Sequence, residues 1–487
     1  MTVVSDPITG TVLIYGIHRT HRWWRHVGEN MGFESAVVLT DRRGDGDRWV
    51  TDDFYAAHAR FKASGSTRSD FMNPAEVSDA IARCRVLRWL PTRQATAMVL
   101  AMAEAMDAVL ADVAPKVIVG FPIDNYVQDM LARRARARDI PYFELTASAL
   151  PDMSMLLHRG RLVTTRIAPD PATVGEKIRE IADPLFQPSY VQGQAAYSAG
   201  RFLRTFGYHR LRGWFFKLYS HARRDPLNFH YLDAQPGLGH KPRLSDLRIL
   251  KMTHTDWRMR LEKHAADRRA LFGLQLYPEA AIDYWIDDLD LVQHEKMLVE
   301  LAQGLAAAGY QIVVKDHPLQ FGHRQTDLID RLLAIEGAVF VPYYVSGNEL
   351  LALTTINITA TGTLGMQAAL LGNTSIVGEA YYANDRDFVV LRRWSDLDDV
   401  PGKVARRQPE LRLADRQQRI VEQLLSGSFE ADYFSFRDFD QRNPNPAATE
   451  LGRQLGERVR LLGPEGEDWH HRHLPKGGGA QPGSPLN

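Results

Sequence analysis

Hydrophobic residues gather along this chain into short runs separated by helix-length stretches of 3.6-residue periodicity. Val12-Leu13-Ile14-Tyr15-Gly16 is the first run; a polar and aromatic stretch follows, then Ala36-Val37-Val38-Leu39. This order predicts strand, helix, strand. Residues 94–114, rich in Ala, Met and Leu at helical spacing, lead through Pro115 into the buried strand Val117-Ile118-Val119-Gly120. A helix over 124–139 and a strand in Ile140-Pro141-Tyr142-Phe143-Glu144-Leu145 come next. Such alternation specifies a parallel sheet with helices on its faces.

Between about 189 and 263 the alternation stops, and Arg, His and aromatic residues crowd a stretch that reads as helical. It restarts at Leu271-Phe272-Gly273-Leu274-Gln275-Leu276, with a helix over 289–308 and the strand Gln311-Ile312-Val313-Val314-Lys315. It continues through Ala338-Val339-Phe340-Val341, Thr355-Ile356-Asn357-Ile358-Thr359, a helix over 363–371, and Thr374-Ser375-Ile376-Val377-Gly378. The expected fold is α/β: two Rossmann-like domains facing each other across a cleft, with a helical connector. The expected divisions are 1–187, a connector over 188–265, a second domain over 266–430, a helical segment over 431–462 and a tail over 463–487. The tail is rich in Gly, Pro and His, a composition that buries too little apolar area to offset its ordering entropy, so disorder is expected there. No repeat of about 20–50 residues points to a solenoid or propeller.

Composition narrows the function classes. The 487 residues are 45% hydrophobic and 24% charged, as in ordinary globular proteins. Fifty-nine basic residues balance 59 acidic ones, so no global field attracts nucleic acid or an anionic membrane; nucleic acid is not an expected partner, and any membrane attraction must be local. The single cysteine, Cys84, excludes an internal disulfide framework and fits a reducing cytoplasm. The N-terminus lacks the basic and apolar regions of a secretory signal, and no run approaches the roughly 18–20 apolar residues of a membrane span. A cytoplasmic protein, at most peripheral to the inner face of the membrane, is expected.

Three strand ends in the second half carry candidate chemistry. In Val313-Val314-Lys315-Asp316-His317-Pro318 an apolar strand delivers a Lys, an Asp and a His to its carboxyl end, where ligands of open α/β sheets bind. The imidazole can donate to a phosphate oxygen and Lys315 adds a point charge; the plain alternative is a solvated surface loop. In Ile356-Asn357-Ile358-Thr359-Ala360-Thr361-Gly362-Thr363-Leu364-Gly365 a strand runs into small hydroxylated residues that open a helix, a ready anion site. The alternative is an ordinary Thr N-cap. In Leu274-Gln275-Leu276-Tyr277-Pro278-Glu279-Ala280, Glu279 can bind a ribose hydroxyl, orient a substrate or act as a base; equally, it can be a carboxylate favoured by a helix dipole.

In the first half, His18, Arg19 and His21 follow one strand and Asp124 another; either loop can supply an acceptor base or merely cap a helix. Glu144 follows a strand in the same way. Residues 201–224 hold seven Lys or Arg, no Asp or Glu, and seven aromatics. Two readings stay open: an anionic membrane or glycan surface, or connector helices whose aromatics pack inward. His470, His471 and His473 make a tract in the tail that specifies no structural metal.

Taken in order, the motifs at 274–280, 314–318 and 359–368, with Gly378-Glu379-Ala380-Tyr381-Tyr382, resemble bacterial capsular polysaccharide biosynthesis proteins. These are similar to GT-B glycosyltransferases, including the Kdo-transferase and CMP-sugar-using branches. The resemblance covers residues 271–382 and, loosely, Gly120-Phe121-Pro122-Ile123-Asp124-Asn125-Tyr126. It implies that His317, Pro318, Thr361 and Thr363 meet the nucleotide phosphate; Gln275, Lys315, Thr359, Gly362 and Gln367 of the same strand ends complete the donor-binding candidates. It departs from the family at Gln367-Ala368, where relatives often carry Glu-Ala, and at Thr374, where a proline is usual. The expected activity is metal-independent transfer of a sugar from a nucleotide-activated donor, CMP-sugar favoured, to a surface or capsular glycan or glycolipid, with no tightly bound cofactor. Glu279, Asp124 and His18, in falling order, are the catalytic candidates. A nucleotide-sugar epimerase or hydrolase, or a non-catalytic binding protein of a polysaccharide assembly, are the alternatives.

Overall fold

A computed structural model of the chain describes residues 8–17, 20–165, 167–187, 197–406 and 412–462. The first domain carries strands β1 (Ile8–Tyr15), β2 (Phe33–Thr40), β3 (Arg48–Trp49), β4 (Val117–Gly120), β5 (Tyr142–Ala147), β6 (Met153–His158) and β7 (Arg161–Leu162). The second carries β8 (Arg269–Gly273), β9 (Gln311–Lys315), β10 (Val339–Phe340), β11 (Ile356–Ile358), β12 (Thr374–Val377) and β13 (Val389–Val390). The last strand, β14 (Ser428–Glu430), belongs to the first domain again.

Both sheets are doubly wound. In the second domain the order is β10-β9-β8-β11-β12-β13, every pair parallel. In the first, β3-β2-β1-β4-β5 is parallel, and β6, β7 and β14 extend it in antiparallel fashion. The order therefore reverses between β1 and β4 in one sheet and between β8 and β11 in the other. Strand ends diverge at such a point and leave a crevice, so ligands of these folds bind there.

The apolar runs explain the layers. β4 and β9 are buried along their whole length because helices cover both sheet faces. Helix Thr92–Val113 lays Met98, Leu100, Met102, Met106 and Leu110 into the core, and each such side chain contributes roughly 1.5–3 kcal/mol on burial. The expected helix over 124–139 starts at Tyr126, because Asn125 caps it by accepting from the Val127 and Gln128 N–H groups. The expected helix over 289–308 is broken at Gln293 into Leu289–Val292 and His294–Ala307.

The C-terminal segment runs back to the first domain. Helix Leu413–Gly427 packs on helices Thr363–Leu370 and Pro171–Ile181, β14 pairs with β6, and helix Pro446–Leu462 lies on helix His21–Glu29. Two glycines four residues apart allow that last contact. A Cβ at Gly456 would sit 2.0 Å from the Met31 carbonyl oxygen, and one at Gly452 2.5 Å from that of Val27. The first domain is thus built from the described residues nearest both termini, 8 onward and up to 462.

The connector is helical as expected, running through Ala199–Ala222, Phe229–Asp233, Ile249–Met252 and Trp257–Leu261. It is tied to both domains. Phe202 is buried in the second domain's core, while Arg42 donates to the Tyr219 hydroxyl and Asn228 to the Asp41 carbonyl. Its aromatics do not all pack inward: Tyr208, Trp214 and Phe215 are exposed. Direct contacts also join the domains, for Arg83 donates to the carbonyls of Asp283, Ile286 and Asp287.

Candidate functional site between the domains

The three strand-end motifs of the second domain sit on the neighbouring strands β9, β8 and β11, and Gln275 binds them together. Its Oε1 accepts from the Thr361 N–H at 2.6 Å and from the Thr359 hydroxyl at 3.4 Å. Because a backbone N–H can only donate, this fixes the amide orientation and aims Nε2 at Thr361 Oγ1 (2.8 Å) and Glu279 Oε2 (3.2 Å). Having accepted from Gln275, the Thr361 hydroxyl keeps its own O–H to give. Gly362 is the helix N-cap and lends no side chain to the helix that follows. A Cβ there would lie 2.8 Å from Thr359 Oγ1, so the close turn needs glycine.

The Lys315-Asp316-His317-Pro318 loop is built on a buried ion pair. Asp316 takes Nε and Nη2 of Arg324, with Nη2 at 2.7 Å, together with the Tyr343 hydroxyl and the His317 N–H. Arg324 also donates to the Gln275 carbonyl at 2.6 Å and so clamps this loop to the Gln275 strand end. Lys315 is buried, and its ammonium donates to the carbonyls of Asp316 and Tyr343; burial pulls its pKa down to about 8, against the pull of Asp316. The expected point charge is therefore spent within the loop. His317 is different. Its Nδ1 accepts from the Leu319 N–H, so the ring proton is on Nε2, and burial lowers its pKa, holding the ring neutral with one N–H to offer.

Glu279 stands at the N-cap position of the short helix Ala280–Asp283 but makes no capping bond; among the described residues its side-chain partner is Gln275. Burial raises its pKa to about 7, with the charges of Asp124 and Asp283 adding to the effect and the Gln275 hydrogen bond opposing it. It forms one wall of a cavity of about 340 Å3. Leu276, Pro278, Ala280 and His323 of the second domain, Arg85 and Asp124 of the first, and His209, Arg212, Asp233, His240, Lys241 and Pro242 of the connector complete the lining. Three separate stretches of chain meet here.

On the opposite side, Asp124 is closed by Arg85, which reaches Oδ1 at 2.6 Å and Oδ2 at 2.8 Å and also donates to the Asp124 carbonyl. Glu144 lies within β5, wholly buried, and accepts the N–H groups of Ile123 and Arg159. His18 and Arg19 lie outside the described residues, as do His470, His471 and His473. Gln367 donates to the Phe186 carbonyl, a bond that a glutamate there could not donate. Thr363 occupies the first turn of helix Thr363–Leu370, and Pro318 opens the short turn Pro318–Gln320.

Sequence reasoning did not find Arg85, Arg324, Lys241 or Asp283. Arg85 and Lys241 stand far from any motif and have no sequence signal. Arg324, eight residues past Asp316, becomes legible only as that aspartate's partner. His209 and Arg212 lie in the basic and aromatic segment, whose composition does not tell which of its residues face a cavity.

No family model matches the chain, and no curated protein matches its sequence. Among solved structures, the chain is similar to KpsC of Thermosulfurimonas dismutans, a beta Kdo 2,7 transferase, at 12% identity over 72% of this chain and 88% of that one, with a TM-score of 0.30. It is also similar to the UDP-GlcNAc 2-epimerase of Methanocaldococcus jannaschii in complex with UDP-GlcNAc and UDP: 12% identity, 85% and 98% covered, TM-score 0.27. The Neisseria meningitidis UDP-GlcNAc 2-epimerase bound to UDP-GlcNAc gives 11%, 85%, 99% and 0.24. Likenesses this remote carry nothing about substrate or reaction.

Proposed function

We propose that the chain is a glycosyltransferase of the GT-B type, moving a sugar from a nucleotide-activated donor to a surface or capsular glycan. One observation carries the reading: at the β8/β11 reversal, Gln275 holds Thr359, Thr361 and Glu279 in a single hydrogen-bonded unit beside a cavity that both domains line. Donors positioned before the reaction stabilise charge as it develops without reorganising, which is what a departing nucleotide phosphate requires. His317 Nε2–H, the Thr361 hydroxyl and the start of helix Thr363–Leu370 are the donors assigned to it. Glu279, poised near neutral pH, takes the proton of the acceptor hydroxyl as that oxygen attacks the anomeric carbon. The bond from that carbon to the phosphate oxygen breaks, and the phosphate leaves with the electron pair. A CMP-sugar is the favoured donor: in the cavity wall Arg85 is paired with Asp124 and Lys241 lies 3.5 Å from Asp233, which leaves Arg212 to meet an anionic sugar.

Thermal-shift titration with CMP, UDP and GDP, followed by product analysis with and without a glycan acceptor, tests the proposal. Stabilisation by one nucleotide and turnover that needs the acceptor are expected. Conversion of the donor alone would assign an epimerase or hydrolase instead. No response to any nucleotide, with unaltered stability of His317→Ala, would overturn both enzymatic readings.

A further inference from the structure

Helix Ala199–Ala222 leaves a row of apolar side chains exposed on the face turned away from its own buried positions. With residues turning about 100° each, its buried positions Phe202, Gly213 and Ser220 fall on one narrow stripe. Opposite them, Leu203, Tyr208, Leu211, Trp214, Phe215 and Leu218 form a continuous arc of roughly 140°. Five of these are more exposed than covered: Leu211 at 73%, Leu218 at 72%, Trp214 at 63%, Tyr208 at 61% and Phe215 at 58%. Arg210 and Lys217 border the arc on one edge, Arg204 lies within it, and all three are exposed. The helix has no acidic residue.

Which surface would cover this arc follows from its charge. A second copy of the chain would set one cationic helix against another, and like charges facing each other across an interface oppose association. An aromatic and aliphatic arc with cations at its border matches instead the boundary between the headgroups and acyl chains of an anionic bilayer. The helix is about 36 Å long, enough to lie along such a surface. No helix among the described residues is long and apolar enough to cross a membrane, so the contact is one of lying on the surface.

We propose that helix Ala199–Ala222 seats this protein on anionic lipid through that arc. The proposal does not depend on the reaction assigned above, but it gives the same helix two jobs, because His209 and Arg212, on its other side, line the cavity. The seated helix therefore places the cleft at the bilayer surface, where a lipid-linked acceptor would be presented.

Flotation of the full chain with phosphatidylcholine vesicles, and with vesicles containing about a quarter phosphatidylglycerol, tests this. Binding at least about tenfold stronger to the anionic vesicles is expected, falling as salt shortens the screening length. Two double variants, Trp214→Ser with Leu218→Ser and Arg210→Glu with Lys217→Glu, should each lose about tenfold or more of that binding, while their melting temperatures stay unchanged because the side chains are exposed. Equal binding of the wild type to both vesicles, or full binding by both double variants, would overturn the proposal. So would a dimer in sedimentation velocity that the same substitutions abolish, because the arc would then belong to a second copy.

Discussion

Glu144, within β5 of the first domain, and Glu279, past the end of β8 in the second, are both carboxyls that burial raises to about 7. They differ in what surrounds them. Glu144 is wholly buried and satisfied by two backbone N–H groups; Glu279 has a single amide partner and a cavity in front of it. Asp124 repeats the lesson, its carboxylate occupied by Arg85. A perturbed pKa marks a buried carboxyl, and only unspent hydrogen-bonding capacity facing a cavity marks one that can act on a ligand.

The comparison breaks if the two glutamates behave alike. Glu279→Gln should lower kcat by about 10²- to 10⁴-fold with the fold intact, whereas Glu144→Gln should leave kcat near that of wild type and instead destabilise the fold by about 1–3 kcal/mol, because an amide cannot accept both N–H groups as a carboxylate does. Steady-state kinetics beside denaturant titration separates these outcomes. The pH dependence sharpens the distinction. A carboxyl raised from its usual 4.5 to about 7 holds its proton more tightly folded than unfolded, so each contributes a loss of stability that grows as pH rises from 4.5 to about 7 and stays constant above it. In Glu144→Gln that slope should diminish while kcat still rises through about pH 7; in Glu279→Gln the kinetic rise should vanish.

Next in size is the clamp. Arg324→Met leaves Asp316 buried without its partner and should cost about 3–5 kcal/mol in urea denaturation. Arg85 and Asp124, both of the first domain, form a pair partly open to solvent on the Asp124 side, and Asp124→Asn, which leaves Arg85 the Asp124 carbonyl and Asp233, should cost only about 1 kcal/mol. Between these lies His317→Ala. Loss of a hydrogen bond to a charged phosphate, worth roughly 1.5–3 kcal/mol, should weaken nucleotide binding about 10- to 100-fold by calorimetry without changing the pH profile that Glu279 sets.

Much of this architecture was legible in the residues. Apolar runs such as Val117-Ile118-Val119-Gly120 and Gln311-Ile312-Val313-Val314-Lys315 are strands because both faces are covered, and their spacing by helices required parallel sheets. β6 and β14 were missed. Met153–His158 and Ser428–Glu430 are short, lie more than 260 residues apart and pair antiparallel, which no local period encodes. The motifs at Gln275, His317 and Thr361 were visible as strand ends. That Lys315 turns its ammonium to the Asp316 and Tyr343 carbonyls was not, because no rule of spacing tells whether a charge at a strand end faces a ligand or the loop that carries it.

The sequence by itself determined two doubly wound domains, the basic and aromatic connector, and which strand ends carry polar chemistry, because these depend on periodicity and composition within some tens of residues. The tertiary structure alone decided how those groups are spent. Arg85 met Asp124, Arg324 met Asp316, Gln275 met Thr361, and of the aromatics of helix Ala199–Ala222 Phe202 met the second domain's core while Tyr208, Trp214 and Phe215 stayed exposed. Each outcome depends on which distant residue arrives within about 3 Å, a distance set by packing and carried by no local pattern.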